Sequence, residues 1–177
     1  MALGDRVHDR EELPLLQGER LLLRPVRADD ARALTDILSE PEVARWWGRN
    51  DMDSVREQMR AQPSFVVLVD GAVTGWLHVH EETDPDHPSV AFDIALTTSV
   101  HGHGYAQEAL RVAIGHFIDR GHHRFTIDPA ADNARAVRCY AAVGFEPVGV
   151  LRAYERAPDG RWRDGLLMDL LAVEFNG

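Results

Sequence analysis

The spacing of hydrophobic residues follows two different periods along the chain. Short apolar runs, each bounded by polar or turn residues, predict seven β-strands. These runs lie at residues 20–24, 65–69, 72–79, 90–97, 124–127, 145–151 and 166–173. Asp70-Gly71 separates the second run from the third, a spacing typical of a tight β-hairpin. The chain is therefore expected to be rich in short, closely connected strands.

Apolar residues three or four positions apart predict helices between these strands. This spacing occurs at residues 31–38, 43–47, 106–117 and 136–141. Asp29 or Asp30 and Asp132 stand where helix N-caps are expected, and Gly121 and Gly144 stand where two helices should end. Together the elements predict one α/β domain without an internal repeat.

The length of the chain fits a single packed core. It has 177 residues, 45% of them hydrophobic, and a typical domain has about 100–200 residues. We assign residues 18–177 to the domain and residues 1–17 to an N-terminal extension. Because no apolar run approaches the roughly 20 residues of a membrane span, and because charged residues occupy the start of the chain, we expect a cytoplasmic protein without a membrane partner.

The charge balance bears on the kind of partner. Nineteen Lys and Arg residues against 29 Asp and Glu residues give a net charge of −10. Nucleic-acid binding relies on basic patches, so no nucleic-acid partner is expected and a cationic one is favoured. Taken alone, the excess of acidic residues is explained by solubility as simply as by a cationic partner.

The most informative segment is Ser-Val-His-Gly-His-Gly-Tyr-Ala-Gln-Glu-Ala-Leu at residues 99–110. It follows a predicted strand and opens a predicted helix. Glycines let backbone N–H groups turn toward an anion, and the helix N-terminus adds partial positive charge, so a diphosphate fits there. A dinucleotide site is a weaker interpretation, because its first strand would be expected earlier in the chain.

This segment resembles the phosphate loop of the GNAT acetyltransferases, whose pattern is Q/R-x-x-G-x-G/A before a helix that holds the pyrophosphate of coenzyme A. His101 stands where the family usually has Gln or Arg. A second family element is matched further on by Asp128-Pro129, followed by Asn133, Ala136, Arg138, Tyr140 and Gly144-Phe145. The resemblance, over about residues 18 to 174, implies a single GNAT domain with a mixed, mostly antiparallel central sheet flanked by helices. The sheet would be split between the fourth and fifth predicted strands for acyl-CoA.

The resemblance also implies acetyl-CoA as co-substrate and a set of residues that contact it. These are Ile94, Ala95, Leu96, His101, Gly102, His103, Gly104, Tyr105, Ala106, Asn133 and Ala136. Tyr140 matches the residue that protonates the departing thiolate, although a core aromatic is the alternative interpretation. Asn133 could equally be a helix cap.

Asp93 is the candidate catalytic base. It interrupts the apolar strand Ala91-Phe92-Asp93-Ile94 just before the glycine loop, where a buried carboxylate would be costly without a role. An alkylamine is almost wholly protonated at neutral pH, so a carboxylate can attract the cation and accept its proton. The alternative is a strand residue that faces solvent.

A metal site is not expected. Cys139 is the only cysteine, which excludes a cysteine-based zinc cluster. His78 and His80 lie on one face of a predicted strand, but no third ligand follows at a recognised spacing.

The acceptor is suggested by Trp46-Trp47-Gly48, by Asp93 and by the run from Ile127 to Tyr140. These segments resemble aminoglycoside 6′-N-acetyltransferases. In those enzymes tryptophans and aspartates form an acidic, aromatic cleft for a polycationic sugar. The corresponding substrate-binding candidates are Trp46, Trp47, Glu81, Asp93 and Asp128. The expected partner is therefore a cationic amine such as an aminoglycoside, bound by a monomer or a homodimer.

Three alternatives stay open. Residues 19–25, the helix start at 104–110 and residues 149–164 are similar to ribosomal-protein N-terminal acetyltransferases. GNAT domains that acylate hydroxylysine in siderophore synthesis have a similar Asp-Pro segment. A module that binds acyl-CoA without turnover would not need Asp93 or Tyr140 as proton carriers.

Overall fold

The computed structural model describes residues 13–177 and contains every strand that the sequence predicts. The strands are β1 (Leu16–Gln17), β2 (Leu22–Pro25), β3 (Ser64–Val69), β4 (Ala72–Glu82), β5 (Ser89–Leu96), β6 (Arg124–Ile127), β7 (Glu146–Arg156) and β8 (Trp162–Leu171). The α-helices are α1 (Ala31–Leu38), α2 (Pro41–Trp47), α3 (Met52–Ala61), α4 (Tyr105–Asp119) and α5 (Ala134–Ala141).

The strands form one sheet in the order β1-β2-β3-β4-β5-β6-β8-β7. Every pair is antiparallel except β5 and β6, which run parallel and pair only at Val90–Phe125 and Ala91–Thr126. Beyond those two pairs the remainder of β5 has no pairing with β6. This is the predicted split between the fourth and fifth strands, which become β5 and β6 because the short β1 precedes them.

Hydrophobic cores lie on both faces of the sheet. One face packs against α4 and α5 through residues such as Leu77, Phe92 and Ile114. The other face packs against α1, α2 and α3 through Trp76 and Ala95. Because side chains alternate along a strand, each strand residue can be assigned to one of these faces.

Helix α3 was not predicted from the hydrophobic spacing. Its apolar residues Met52, Val55 and Met59 stand three and four positions apart, which is the spacing of a helix face, and Val55 is buried. This pattern is short and was overlooked. Its start is fixed by a capping box, in which the Asp51 carboxylate accepts from the Ser54 backbone N–H at 2.8 Å. The sequence therefore contained both a capping signal and an amphipathic one.

Several predicted boundaries move. Leu16 and Gln17 pair with β2, so the sheet begins before the predicted domain boundary at residue 18. The first twelve residues of the predicted extension lie outside the described part of the chain. Asn133, rather than Asp132, caps α5. No helix among residues 13–177 combines the length and the apolar character that a membrane crossing needs.

Candidate active site

A cleft of about 950 Å³ opens where β5 and β6 separate. Its walls come from α2, β4, β5, the glycine loop, α5 and the β7–β8 hairpin. The split in the sheet thus brings the two segments singled out from the sequence, the glycine loop and the region around Asp93, to one site. All predicted coenzyme-binding residues line this cleft.

Asp93 points to the face of the sheet that carries α2. Its neighbour Ala95 packs in the core on that face, whereas Phe92 packs on the opposite one. The Asp93 side chain is 44% exposed, and its Oδ2 lies 3.0 Å from Nε2 of His80. The residue is therefore neither fully buried nor unpartnered, but half-exposed in the cleft and paired with a histidine.

His78 lies beside this pair and was not predicted as a site residue. It is the direct cross-strand partner of Asp93, and its ring is 5.4 Å from Trp47 and 4.1 Å from Trp76 between centroids. Burial lowers the pKa of His78 to about 4, so its imidazole is neutral at pH 7. Both histidines share the cleft face of β4, as the sequence indicated.

Further acidic groups surround Asp93. Burial, together with the charges of Asp93 and Glu155, raises the pKa of Asp128 despite a hydrogen bond from the Tyr154 hydroxyl. That same hydrogen bond raises the pKa of Tyr154 to about 12. Tyr154 follows Ala153, which has φ of 48° in a bulge of β7. A bulge re-aims neighbouring side chains, and sequence spacing did not reveal this one.

The glycine loop has the conformation that its composition predicted. Gly102 and Gly104 have φ of 79° and 81°, and α4 begins at Tyr105 directly after them. His101, which replaces the family's Gln or Arg, has Nε2 2.9 Å from the carbonyl of Leu96 and Nδ1 2.9 Å from the guanidinium of Arg135. Its ring therefore ties the loop to β5. Arg135 lines the cleft, as does Arg138, and neither was predicted.

Helix α5 supplies Asn133 and Tyr140. The Asn133 side chain accepts from the Ala136 backbone N–H at 3.2 Å, so the capping role is present, while the residue also lines the cleft. Tyr140 is 8% exposed and packs edge-on to Phe145 with centroids 6.4 Å apart. Burial raises the pKa of its hydroxyl. The proton therefore stays on the oxygen at neutral pH, which a general acid requires.

Glu81 does not lie with the other predicted site residues. It follows His80 on β4 and so faces the opposite side of the sheet. There its Oε1 accepts from Nε2 of His122 at 2.7 Å and from Arg120 at 3.2 Å. The prediction of Glu81 as a substrate-binding residue is therefore withdrawn.

The two tryptophans have different surroundings. Trp47 contacts His78 within the cleft. The guanidinium groups of Arg45 and Arg163 lie 4.8 and 5.4 Å from the ring centroid of Trp46. Arg163 also donates to the Trp46 carbonyl at 2.8 Å. Trp47 is therefore the better placed of the two to contact a bound molecule.

Comparison with known proteins identifies the family to which this architecture belongs. Residues 20–146 match the family described as acetyltransferase (GNAT) domain. The aminoglycoside N(6′)-acetyltransferase type 1 of Klebsiella pneumoniae is 26% identical over 166 residues, which cover 81% of this chain and 80% of that protein. RimJ of Mycobacterium smegmatis, solved in complex with CoA-disulfide, is 26% identical with a TM-score of 0.81 and covers 93% of this chain and 90% of its own.

A third similarity is one of fold. Spermidine N-acetyltransferase of Vibrio cholerae, solved with CoA and spermine, is 23% identical with a TM-score of 0.76, covering 88% of this chain and 97% of its own. The family match extends over more than half of the chain and includes β5, the glycine loop and α5. The chain therefore belongs to the GNAT family of acetyltransferases.

Proposed function

We propose that this GNAT protein transfers acetyl from acetyl-CoA to a primary amine of a cationic small molecule, the 6′-amine of an aminoglycoside. One observation carries the proposal. Arg135, whose guanidinium contacts His101 of the glycine loop, brings positive charge to the cleft beside that loop. Asp93, Asp128 and Glu155 also line the cleft and lie close enough together for the charges of Asp93 and Glu155 to raise the pKa of Asp128, and Arg163 pairs with Glu155 there. A polyanionic coenzyme and a polycationic acceptor would each meet charges of the opposite sign.

The coenzyme half is supported by backbone geometry. The positive φ of Gly102 and Gly104 and the start of α4 directly after them suit a pyrophosphate, because N–H groups and the helix dipole point at the same anion. The strand residues Ile94 to Leu96 have no pairing partner in β6. Apart from the Leu96 carbonyl, which contacts His101, their backbone groups on that side are thus available to the pantetheine arm and the thioester.

The acceptor half is supported by Asp93. Its exposed carboxylate would hold the ammonium group and accept one proton from it, leaving a nucleophilic amine. The amine nitrogen then forms a bond to the thioester carbon, and the carbon–sulfur bond breaks. Tyr140 donates its proton to the departing thiolate of coenzyme A, and the amide product loses its second nitrogen proton to solvent.

The aminoglycoside is favoured over other amines for two reasons. The relative from Klebsiella pneumoniae carries that activity in its name and is 26% identical over most of both chains. Asp93 and Asp128, together with Glu155, whose charge is partly offset by its ion pair with Arg163, suit an acceptor with several ammonium groups better than a peptide with one N-terminus. N-terminal peptide acetylation is the second candidate, on the sequence similarity of residues 19–25 and 149–164.

The experiment is a comparison of acceptors by release of free thiol from acetyl-CoA. Kanamycin and tobramycin would be assayed beside spermine, peptides with free N-termini, and an aminoglycoside that carries a hydroxyl in place of the 6′-amine. We expect turnover on the first two and none on the 6′-hydroxyl sugar. Turnover on peptides alone would support the second candidate. Binding of acetyl-CoA without turnover on any amine would indicate a non-catalytic module.

A further inference from the structure

Three potential metal ligands meet in the acceptor half of the cleft. His78 and His80 share one face of β4, and Asp93 stands opposite His78 on β5. One ligand atom from each of these residues lies within 4.8 Å of the other two. The sequence alone offered two histidines and no third ligand, because Asp93 reaches them only through the pairing of β4 with β5.

The state of His78 is a second, independent observation. The residue is 6% exposed, and its Nε2 is buried with no hydrogen-bond partner among the residues that the structure describes. A buried polar atom without a partner costs free energy, which a ligand in the cleft would recover. Neutral imidazole is also the form of histidine that binds metals.

The geometry fits a small cation with modest adjustment. Four-coordinate zinc, with bonds of about 2.0–2.2 Å, needs ligand atoms roughly 3.4 Å apart. His80 and Asp93 already approach to 3.0 Å, and both are partly exposed, so their side chains can rotate. Asp128 lines the same cleft and adds negative potential.

We propose that His78, His80 and Asp93 bind a divalent transition metal such as Zn²⁺, and that the bound ion inhibits acetyl transfer by occupying the acceptor position. Two imidazoles and one carboxylate are a donor set that suits this class of ion. The ion would neutralise Asp93 and exclude the ammonium group. Metal and acceptor therefore compete for one site. The inhibition rests on the proposed function, whereas the binding does not.

Binding is tested with the tag-free full chain and Co²⁺, whose visible absorption changes on coordination. We expect one equivalent of saturable binding that Zn²⁺ displaces. Since even outer-shell partners contribute about 10- to 100-fold to metal affinity, His80→Asn should weaken binding at least about tenfold. His87→Asn removes an exposed imidazole from the loop between β4 and β5 and should leave affinity unchanged. Asp93→Asn provides a second ligand variant if the first does not fold.

Inhibition is tested by the amount of acetylated amine rather than by free thiol, because the thiol of coenzyme A itself binds zinc. We expect Zn²⁺ to compete with the amine and not with acetyl-CoA. Absence of saturable Co²⁺ binding, or equal affinity in wild type and His80→Asn, would overturn the metal site. Inhibition unaffected by the amine concentration would overturn the competition. Absence of acetyl transfer to every amine tested would contradict the proposed function but not the metal site, since the Co²⁺ titration needs no acceptor.

Discussion

His80 and Asp93 form a diagonal pair across β4 and β5, with Nε2 and Oδ2 3.0 Å apart. The directly opposed partners in the register are His78 with Asp93 and His80 with Ala91, so the side chains of His80 and Asp93 lean toward one another. The hydrogen bond to Asp93 raises the pKa of His80 above its usual 6.5, against the opposing effect of burial. The proposed base therefore has a titratable neighbour.

This pair predicts a specific pH dependence of the reaction. Because the pKa of His80 is raised, the imidazolium persists above pH 6.5 and repels a cationic acceptor from Asp93. The kcat/KM for the amine should rise as the pH increases through the pKa of His80. His80→Asn should remove this limb and leave only the rise due to the amine itself. Superimposable profiles of the two proteins would contradict the role of His80.

Tyr140→Phe separates a catalytic hydroxyl from a packed ring. The ring that contacts Phe145 is kept, so the thermal unfolding temperature should change little. Loss of general acid catalysis should lower kcat by about 10²- to 10⁴-fold. Steady-state kinetics and thermal unfolding would be measured together. Wild-type turnover would remove Tyr140 from the mechanism, and a large loss of stability would make it a structural residue.

Arg163 is expected to hold in place the part of the cleft that would bind the acceptor. Its guanidinium donates to the carbonyls of Arg45 and Trp46 and to Glu155 at 3.1, 2.8 and 2.7 Å. Arg163→Ala should raise KM for the amine without affecting the affinity for acetyl-CoA. It should also lower the free energy of unfolding by roughly 1.5–3 kcal/mol, the range of a hydrogen bond to a charged group.

The control for this variant lies two residues away. Arg161 pairs with Asp159 in the exposed β7–β8 turn. Arg161→Ala should leave both KM and stability at wild-type values. An equal rise of KM in the two variants would show that the effect does not depend on the contacts that Arg163 makes to Trp46 and Glu155.

Two glycine-to-alanine substitutions, one in the glycine loop and one in α4, are expected to have different effects. Gly102 has φ of 79°, where a Cβ costs roughly 1–2 kcal/mol. Gly102→Ala should therefore weaken acetyl-CoA binding by about tenfold, as measured by calorimetry. Gly115 lies inside α4, where a Cβ would meet no atom within 4 Å. Gly115→Ala should raise stability by roughly 0.5–1 kcal/mol and leave acetyl-CoA affinity unchanged.

Much of the fold follows from hydrophobic spacing, because the strands are bounded by strong turn residues and β4 alternates between two cores. The same alternation held information that the prediction of Glu81 ignored. With Trp76, His78 and His80 on one face, Glu81 must lie on the other. The sequence therefore contained the reason for this error.

Other features depend on tertiary structure and could not be predicted. Glu155 and Arg163 reach the cleft, and Tyr154 reaches Asp128, because the β7–β8 hairpin is long and β7 contains a bulge. The expected strand boundaries at residues 151 and 166 gave no sign of this. His101 was expected to contact coenzyme, but its bond to the Leu96 carbonyl requires knowledge of how the loop folds against β5.

The most direct test of the account is the Asp93→Asn variant, assayed with the best acceptor and by calorimetry with acetyl-CoA. Asparagine has nearly the same shape but neither the charge nor the basicity. We predict that turnover falls by about 10²- to 10⁴-fold while the affinity for acetyl-CoA stays within a factor of about two. Unchanged turnover, or an equal loss of coenzyme affinity, would contradict the assignment of Asp93 to the acceptor amine.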